Sequence, residues 1–204
     1  MVVALVAMTL LGCGRPEPEL PRQPVPTFDS EPANGGARAA HRDTLLPTDC
    51  QNMTTGATMS ALLGKPLDSV QSHTVLGVAA ASVGRLERVT CQYQLAGRKP
   101  VRPVLELNLA AYTTPSAADR QMTTNAVAER VDAQQVENFS IGSARAMLFG
   151  ERGQFVLLVS NGRCSITLTL HDGVVPAEQA KPVMVDLVQR VLPNLASVGT
   201  GTSR

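Results

Sequence analysis

Two adjacent residues, Asn161-Gly162, do most to limit what this chain can fold into. They sit between two runs, residues 154–160 and 163–170, in which apolar side chains recur at every second place. Asn-Gly between such runs is the strongest short-range hairpin signal, because both residues tolerate the left-handed backbone of a tight turn. A two-residue loop there pairs Val159 with Cys164, Leu157 with Ile166 and Phe155 with Leu168. The strand period of two puts all six on one face. The other face, with Val156, Leu158, Ser165 and Thr167, is mixed. The hairpin thus reads as packed on one side and half wet on the other, which implies an antiparallel sheet covered on one side.

A second hairpin precedes it. Val89, Cys91, Tyr93 and Leu95 alternate with polar residues over 88–95, as do Leu105, Leu107 and Leu109 over 104–112. Ala96-Gly97-Arg98-Lys99-Pro100 is the longer turn between them. Weaker strands are expected over 75–82 and 145–149. Three helices complete the pattern. One covers 57–63. A second has Thr114 as N-cap and Pro115 in its first turn and runs to about residue 131 on an alanine-rich stripe. A third covers 176–192, with Met184, Leu187, Val188, Val191 and Leu195 on one stripe and Pro182 as a kink or a true start. Strand, turn, strand and helix occur in that order at 88–131 and again at 154–192. The expected class is α+β, an antiparallel sheet with helices packed on one face, built from two strand-strand-helix repeats.

The N-terminus carries an address. Residues 2–11 are almost wholly apolar, yet ten residues of helix fall well short of the roughly 30 Å of a bilayer core. They have the length of a signal-peptide apolar region. The run ends in Leu10-Leu11-Gly12-Cys13, which resembles the lipobox of bacterial lipoproteins, whose cysteine is diacylated. No Lys or Arg precedes it, so translation is expected to start upstream of Met1. Residues 14–47 include Pro16, Pro18, Pro21, Pro24, Pro26, Pro32 and Pro47, and too few large apolar side chains to offset the entropy of ordering. The expected organisation is signal peptide 1–12, lipidated Cys13 with a tether to 47, one domain over 48–196 and a disordered tail over 197–204. Diacylglycerol on Cys13, with palmitate among its acyl chains, holds the protein to the extracytoplasmic face of the cell membrane, since two acyl chains anchor firmly where one does not.

Composition removes several functions. The net charge of +1 over 204 residues supplies no concentrated positive field for nucleic acid. The aromatic content of 3%, without Trp, weakens the case for sugar or nucleobase stacking. His41, His73 and His171 stand in no metal-ligand spacing, and no C-x-x-C, nucleophile elbow or phosphate loop occurs, so neither metal nor cofactor is expected. His171 in His171-Asp172-Gly173 reads as a solvated turn histidine before it reads as a catalytic one. Arg85, Arg88, Arg98, Lys99 and Arg102 gather around one hairpin. Most simply they are a solvated tip; more sharply, Arg98, Lys99 and Arg102 form a patch for an anionic glycolipid or polymer, or an acidic protein face.

The lipobox, the Pro-rich spacer, Asp49-Cys50 opening the domain, Leu62-Leu63-Gly64 closing an early helix and Cys91-Gln92-Tyr93 on a strand together resemble the exported cell-envelope lipoproteins of actinobacteria. That resemblance implies an α+β sensor-like domain with a disulfide. Once Cys13 is lipidated, three cysteines remain. Cys91 and Cys164 both face the core by alternation, and Cys50 sits where the chain needs tying down. Cys50–Cys91 is the favoured pair, leaving Cys164 a buried thiol; Cys91–Cys164 is the rival. The expected function is a non-catalytic binding module of the envelope. A lipid or glycolipid carrier with an apolar cavity and an envelope hydrolase are the alternatives.

Overall fold

The structure is a computed structural model and describes residues 44–97 and 102–199. Seven strands form one antiparallel sheet: β1 (Val70–Gly77), β2 (Arg85–Leu95), β3 (Pro103–Tyr112), β4 (Ala133–Ile141), β5 (Ala144–Glu151), β6 (Gln154–Asn161) and β7 (Cys164–His171). Their order across the sheet is β1-β2-β3-β7-β6-β5-β4. Helices α1 (Gly56–Leu62), α2 (Pro115–Glu129) and α3 (Ala177–Gly199) pack on it. The class is α+β.

Both hairpins form, but the register of the Asn161-Gly162 hairpin differs from expectation by two residues. Asn161 pairs with Cys164, so the loop is Gly162-Arg163, and Val159 meets Ile166, Leu157 meets Leu168 and Phe155 meets Leu170. The reason is local. Gly162 alone takes a positive φ, +57°, while Asn161 stays extended in the strand. A hairpin turn with glycine as its first central residue needs only one left-handed residue, where the mirror-image type I turn needs two. A slip of two keeps every side chain on its expected face.

The expected single covered face is in fact two covered faces. On one, Cys91, Leu105, Leu107, Leu109, Leu157, Ile166 and Leu168 meet the α3 stripe of Met184, Leu187, Val188, Val191 and Leu195 in the main core. On the other, α2 lays Met122 and Ala126 over Phe149, Val156 and Leu158, and Ala117 and Ala118 against Ala110 and Tyr112. The alanine stripe is what allows this: small side chains bring a helix close to a sheet without needing a deep apolar face. The α2 start is the expected one, with Pro115 in the first turn and the Thr114 hydroxyl accepting from the Ala117 N–H at 3.1 Å.

The order of elements repeats, but no two-fold relates the halves. The two-fold that would superpose antiparallel β3 and β7 stands normal to the sheet and would leave α2 and α3 on one face. Strand β4 is absent from the sequence expectations, since Ala133-Gln-Gln-Val-Glu-Asn-Phe-Ser-Ile141 has little apolar alternation. Strand β1 begins and ends earlier than the expected 75–82. Pro182 lies inside α3, which begins at Ala177 and continues to Gly199, past the expected boundary at 196. The folded body also takes in Leu46, which is buried and donates its N–H to Glu87, as Leu45 does. The expected lipidation at Cys13 and the expected tether up to residue 43 lie outside the described residues.

Cys50, in a short 3-10 turn (Cys50–Asn52) capped by Asp49, is joined to Cys91 on β2. Cys164 is a buried free thiol, pushed up to about 11 by burial and partly offset by the nearby Arg163 charge. No helix among the described residues is long and apolar enough to cross a membrane.

Candidate binding cleft

Helix α2 covers β5, β6 and the end of β3 but stops short of the rest of that face. Beside it lies a cleft of about 370 Å³. Its floor is Arg88, Asn108, Tyr112, Ser165 and Thr167 on β2, β3 and β7. Its wall is α2, through Gln121, Asn125 and Glu129. Those three recur every fourth residue, one turn apart, immediately beside the apolar stripe of Ala118, Met122 and Ala126. One helix thus presents an apolar band to β6 and a polar band to the cleft.

The cationic end depends on a bulge. Arg85 and Arg88 are three apart, so a regular strand would send them to opposite faces. The register shifts between Arg85, opposite Tyr112, and Glu87, opposite Ala111. The extra residue puts both arginines on the cleft side and turns Glu87 to the core side, where it receives the Leu45 and Leu46 amides. Arg88 donates to Asn108 Oδ1 at 2.9 Å, Thr90 donates to the same oxygen, and Asn108 donates to Glu106 at 2.8 Å. The Asn108 amide is thereby fixed in orientation and holds the guanidinium over the floor. Arg85 reaches the Val78 carbonyl at 3.4 Å, while its buried Nε has no hydrogen-bond partner among the described residues.

Glu129 lines the same cleft from the C-terminal end of α2. Its carboxyl is raised to about 7, first by burial, then by a hydrogen bond with Glu151 and by repulsion from Glu151 and Asp132. Gln154 donates to Glu151 Oε2 at 2.7 Å, and the buried Oε1 has no hydrogen-bond partner among the described residues.

The expected basic cluster is divided. Arg85 and Arg88 serve the cleft at the start of β2. Arg102 is exposed just ahead of β3, beyond the other end of the strand. Seven residues of extended chain, roughly 23 Å, separate Arg88 from Leu95. Arg98 and Lys99 lie outside the described residues. His171 ends β7 opposite Gln154 and lines a shallow groove of about 290 Å³ with Glu151 and Asp172. No group of three or more His, Cys, Asp or Glu among the described residues could hold a metal ion. Sequence reasoning missed the cleft. Its signal was the polar alternation of Thr90, Asn108, Ser165 and Thr167 on neighbouring strands, together with Gln121, Asn125 and Glu129 along one side of a helix.

Fold and cleft together define a small disulfide-bonded α+β domain with a polar pocket on one face of its sheet. No protein-family model matches the sequence, and no curated protein matches it. Among solved structures, the chain is similar to the extracellular domain of PknH from Mycobacterium tuberculosis, with a TM-score of 0.46 at 12% identity, over 73% of this chain and 93% of that one.

Proposed function

We propose that this protein is an exported, membrane-anchored binding module of the cell envelope, and that its ligand is a small polar molecule with an anionic group held by Arg85 and Arg88. The cleft carries this reading. It pairs two guanidinium groups with an array of neutral amides and hydroxyls, which can fix an anion and the polar groups attached to it. The disulfide supports export, because such bonds persist in oxidising compartments. Anchoring rests on Cys13 and its lipobox: the full protein should partition into detergent, and Cys13→Ala should release it. The module is non-catalytic in this reading: among the described residues, the groove lined by Glu151, His171 and Asp172 holds no serine, threonine or cysteine to act as a nucleophile. An apolar carrier gains no support, because Leu107, Leu168, Leu187 and Val188 fill the space between sheet and α3.

The test is calorimetric titration of the full chain with inorganic phosphate, citrate and glucuronate. Binding of at least one, lost on Arg88→Ala and weakened on Asn125→Ala, is the expected result. Equal binding by wild type and Arg88→Ala, or no binding by wild type, overturns the cleft as an anion site. Arg102→Ala separates the cleft from the distant hairpin tip; it should change nothing in this assay.

A further inference from the structure

The sheet has two edges, and they differ. At β4 the register is broken between Ala133 and Gln135, and Glu137 is ion-paired to Lys181 of α3. Bulges and charges are how natural sheets close an edge to strangers. Strand β1 has neither. Its eight residues, Val-Gln-Ser-His-Thr-Val-Leu-Gly, include no Lys, Arg, Asp, Glu or Pro, and they pair with β2 without a break. Past its middle, residues 75–79 are five consecutive exposed apolar residues, with Leu76 61% and Val78 80% exposed. A run of that kind is a liability unless something covers it.

The outward hydrogen-bonding groups of β1 can be identified. Ser69 O accepts from Ala96 N on the β2 side, whereas Val70 N–H turns away to Ser60. By alternation Ser72, Thr74 and Leu76 direct their N–H and C=O groups outward. Helix α1 approaches the edge closely at Val70: a Cβ on Gly56 would lie 2.6 Å from the Val70 carbonyl oxygen. No backbone or side-chain group among the described residues hydrogen-bonds to the main chain of Ser72, Thr74 or Leu76.

We propose that β1 pairs antiparallel with β1 of a second copy of this chain, about a two-fold axis at Thr74. That axis places Thr74 opposite Thr74 and Ser72 opposite Leu76 of the second copy, so the outward groups of all three residues are satisfied reciprocally. It keeps each face of one sheet continuous with the same face of the other. It also sets Val78 opposite Val70 of the second copy. Val70, Gly56 and Ala57 line an open groove of about 530 Å³ at the other end of the same edge. The exposed valine of each copy meets the groove of the other, as a self-complementary two-fold interface requires. The strand itself carries no charge, and the carboxylate beside the axis, Asp49, whose Oδ1 lies 3.5 Å from Thr74 Oγ1, accepts from the Gln51 amide.

The test is sedimentation velocity on the full chain carrying Cys13→Ser, which keeps it in solution, at increasing concentration, with amide exchange on the same samples. A monomer–dimer equilibrium is expected, with protection of the Ser72, Thr74 and Leu76 amides rising with concentration. Val78→Lys and Leu76→Lys, both at exposed positions, weaken the dimer by roughly tenfold or more, because a lysine is then desolvated without a partner. Val136→Lys, on the β4 edge, leaves it unchanged. A monomer at every concentration overturns the proposal. So does a dimer indifferent to Val78→Lys and Leu76→Lys, or one broken by Val136→Lys. Circular dichroism separates loss of pairing from loss of fold.

Discussion

The two faces of the sheet use the same strands for different ends. Toward α3 the strands present leucine after leucine, and the core there is closed. Toward α2 they present threonine, serine, asparagine and arginine, and the helix covers only part of the surface. One residue along β3 moves from a fully buried Leu107 to Asn108, whose amide organises the cleft. The difference teaches where stability resides and where the proposed recognition would. One face can be specified by apolar volume alone, while the other must satisfy each polar group it keeps from water.

The sharpest ways to break that contrast start with the closed face. Replacing Cys50 and Cys91 by alanine opens a loop that chain entropy values at about 4 kcal/mol, so chemical denaturation should show the largest loss of stability here. Leu107→Ala should cost about 3 kcal/mol through lost burial and a residual cavity, while its neighbour Asn108→Ala costs about 1 kcal/mol and abolishes anion binding. Equal losses for the pair would erase the distinction between the faces. Thr114→Ala removes the α2 cap and should cost about 1 kcal/mol, with amide protection falling first at the start of that helix.

The smallest effect is a pH dependence. Glu129 is raised from 4.5 to about 7 in the fold, so between those values the folded protein keeps a proton that the unfolded chain has released. Its stabilising contribution is present below pH 4.5 and is lost as the pH climbs through 7. Thermal unfolding should therefore show a melting temperature that falls across this window in wild type and falls less in Glu129→Gln. A steeper fall in the variant would remove Glu129 as the cause.

What the sequence made legible follows the strength of each local signal. The hairpins, the Thr114-Pro115 helix start and the α3 stripe were readable because period, cap and turn residue agreed. The two-residue difference at Gly162 arose because Asn-Gly has more than one hairpin geometry, and the sequence does not choose between them. Strand β4 was hidden because an edge strand paired on one side needs few apolar residues. The second covered face was hidden by the alanines of α2, which carry little hydrophobicity yet permit close approach. The cleft was hidden by the bulge at Arg85–Glu87: strict alternation assigns Arg85 and Arg88 to opposite faces, and only an inserted residue brings them together.

The seam between β3 and β7 has a consequence in time. Every other pairing in the sheet joins strands that follow one another along the chain, so each closes a short loop. The seam joins Ala111 to Cys164 and Leu105 to Leu170, with α2 and three strands intervening. Ordering that intervening chain is the slow entropic step, and the folding nucleus must span it. Refolding after dilution from denaturant should accordingly slow when β3 or β7 is weakened, whereas lesions in β1 or β4 should mainly hasten unfolding. The topology predicts that the two antiparallel halves form first and that their meeting at one line of hydrogen bonds limits the rate.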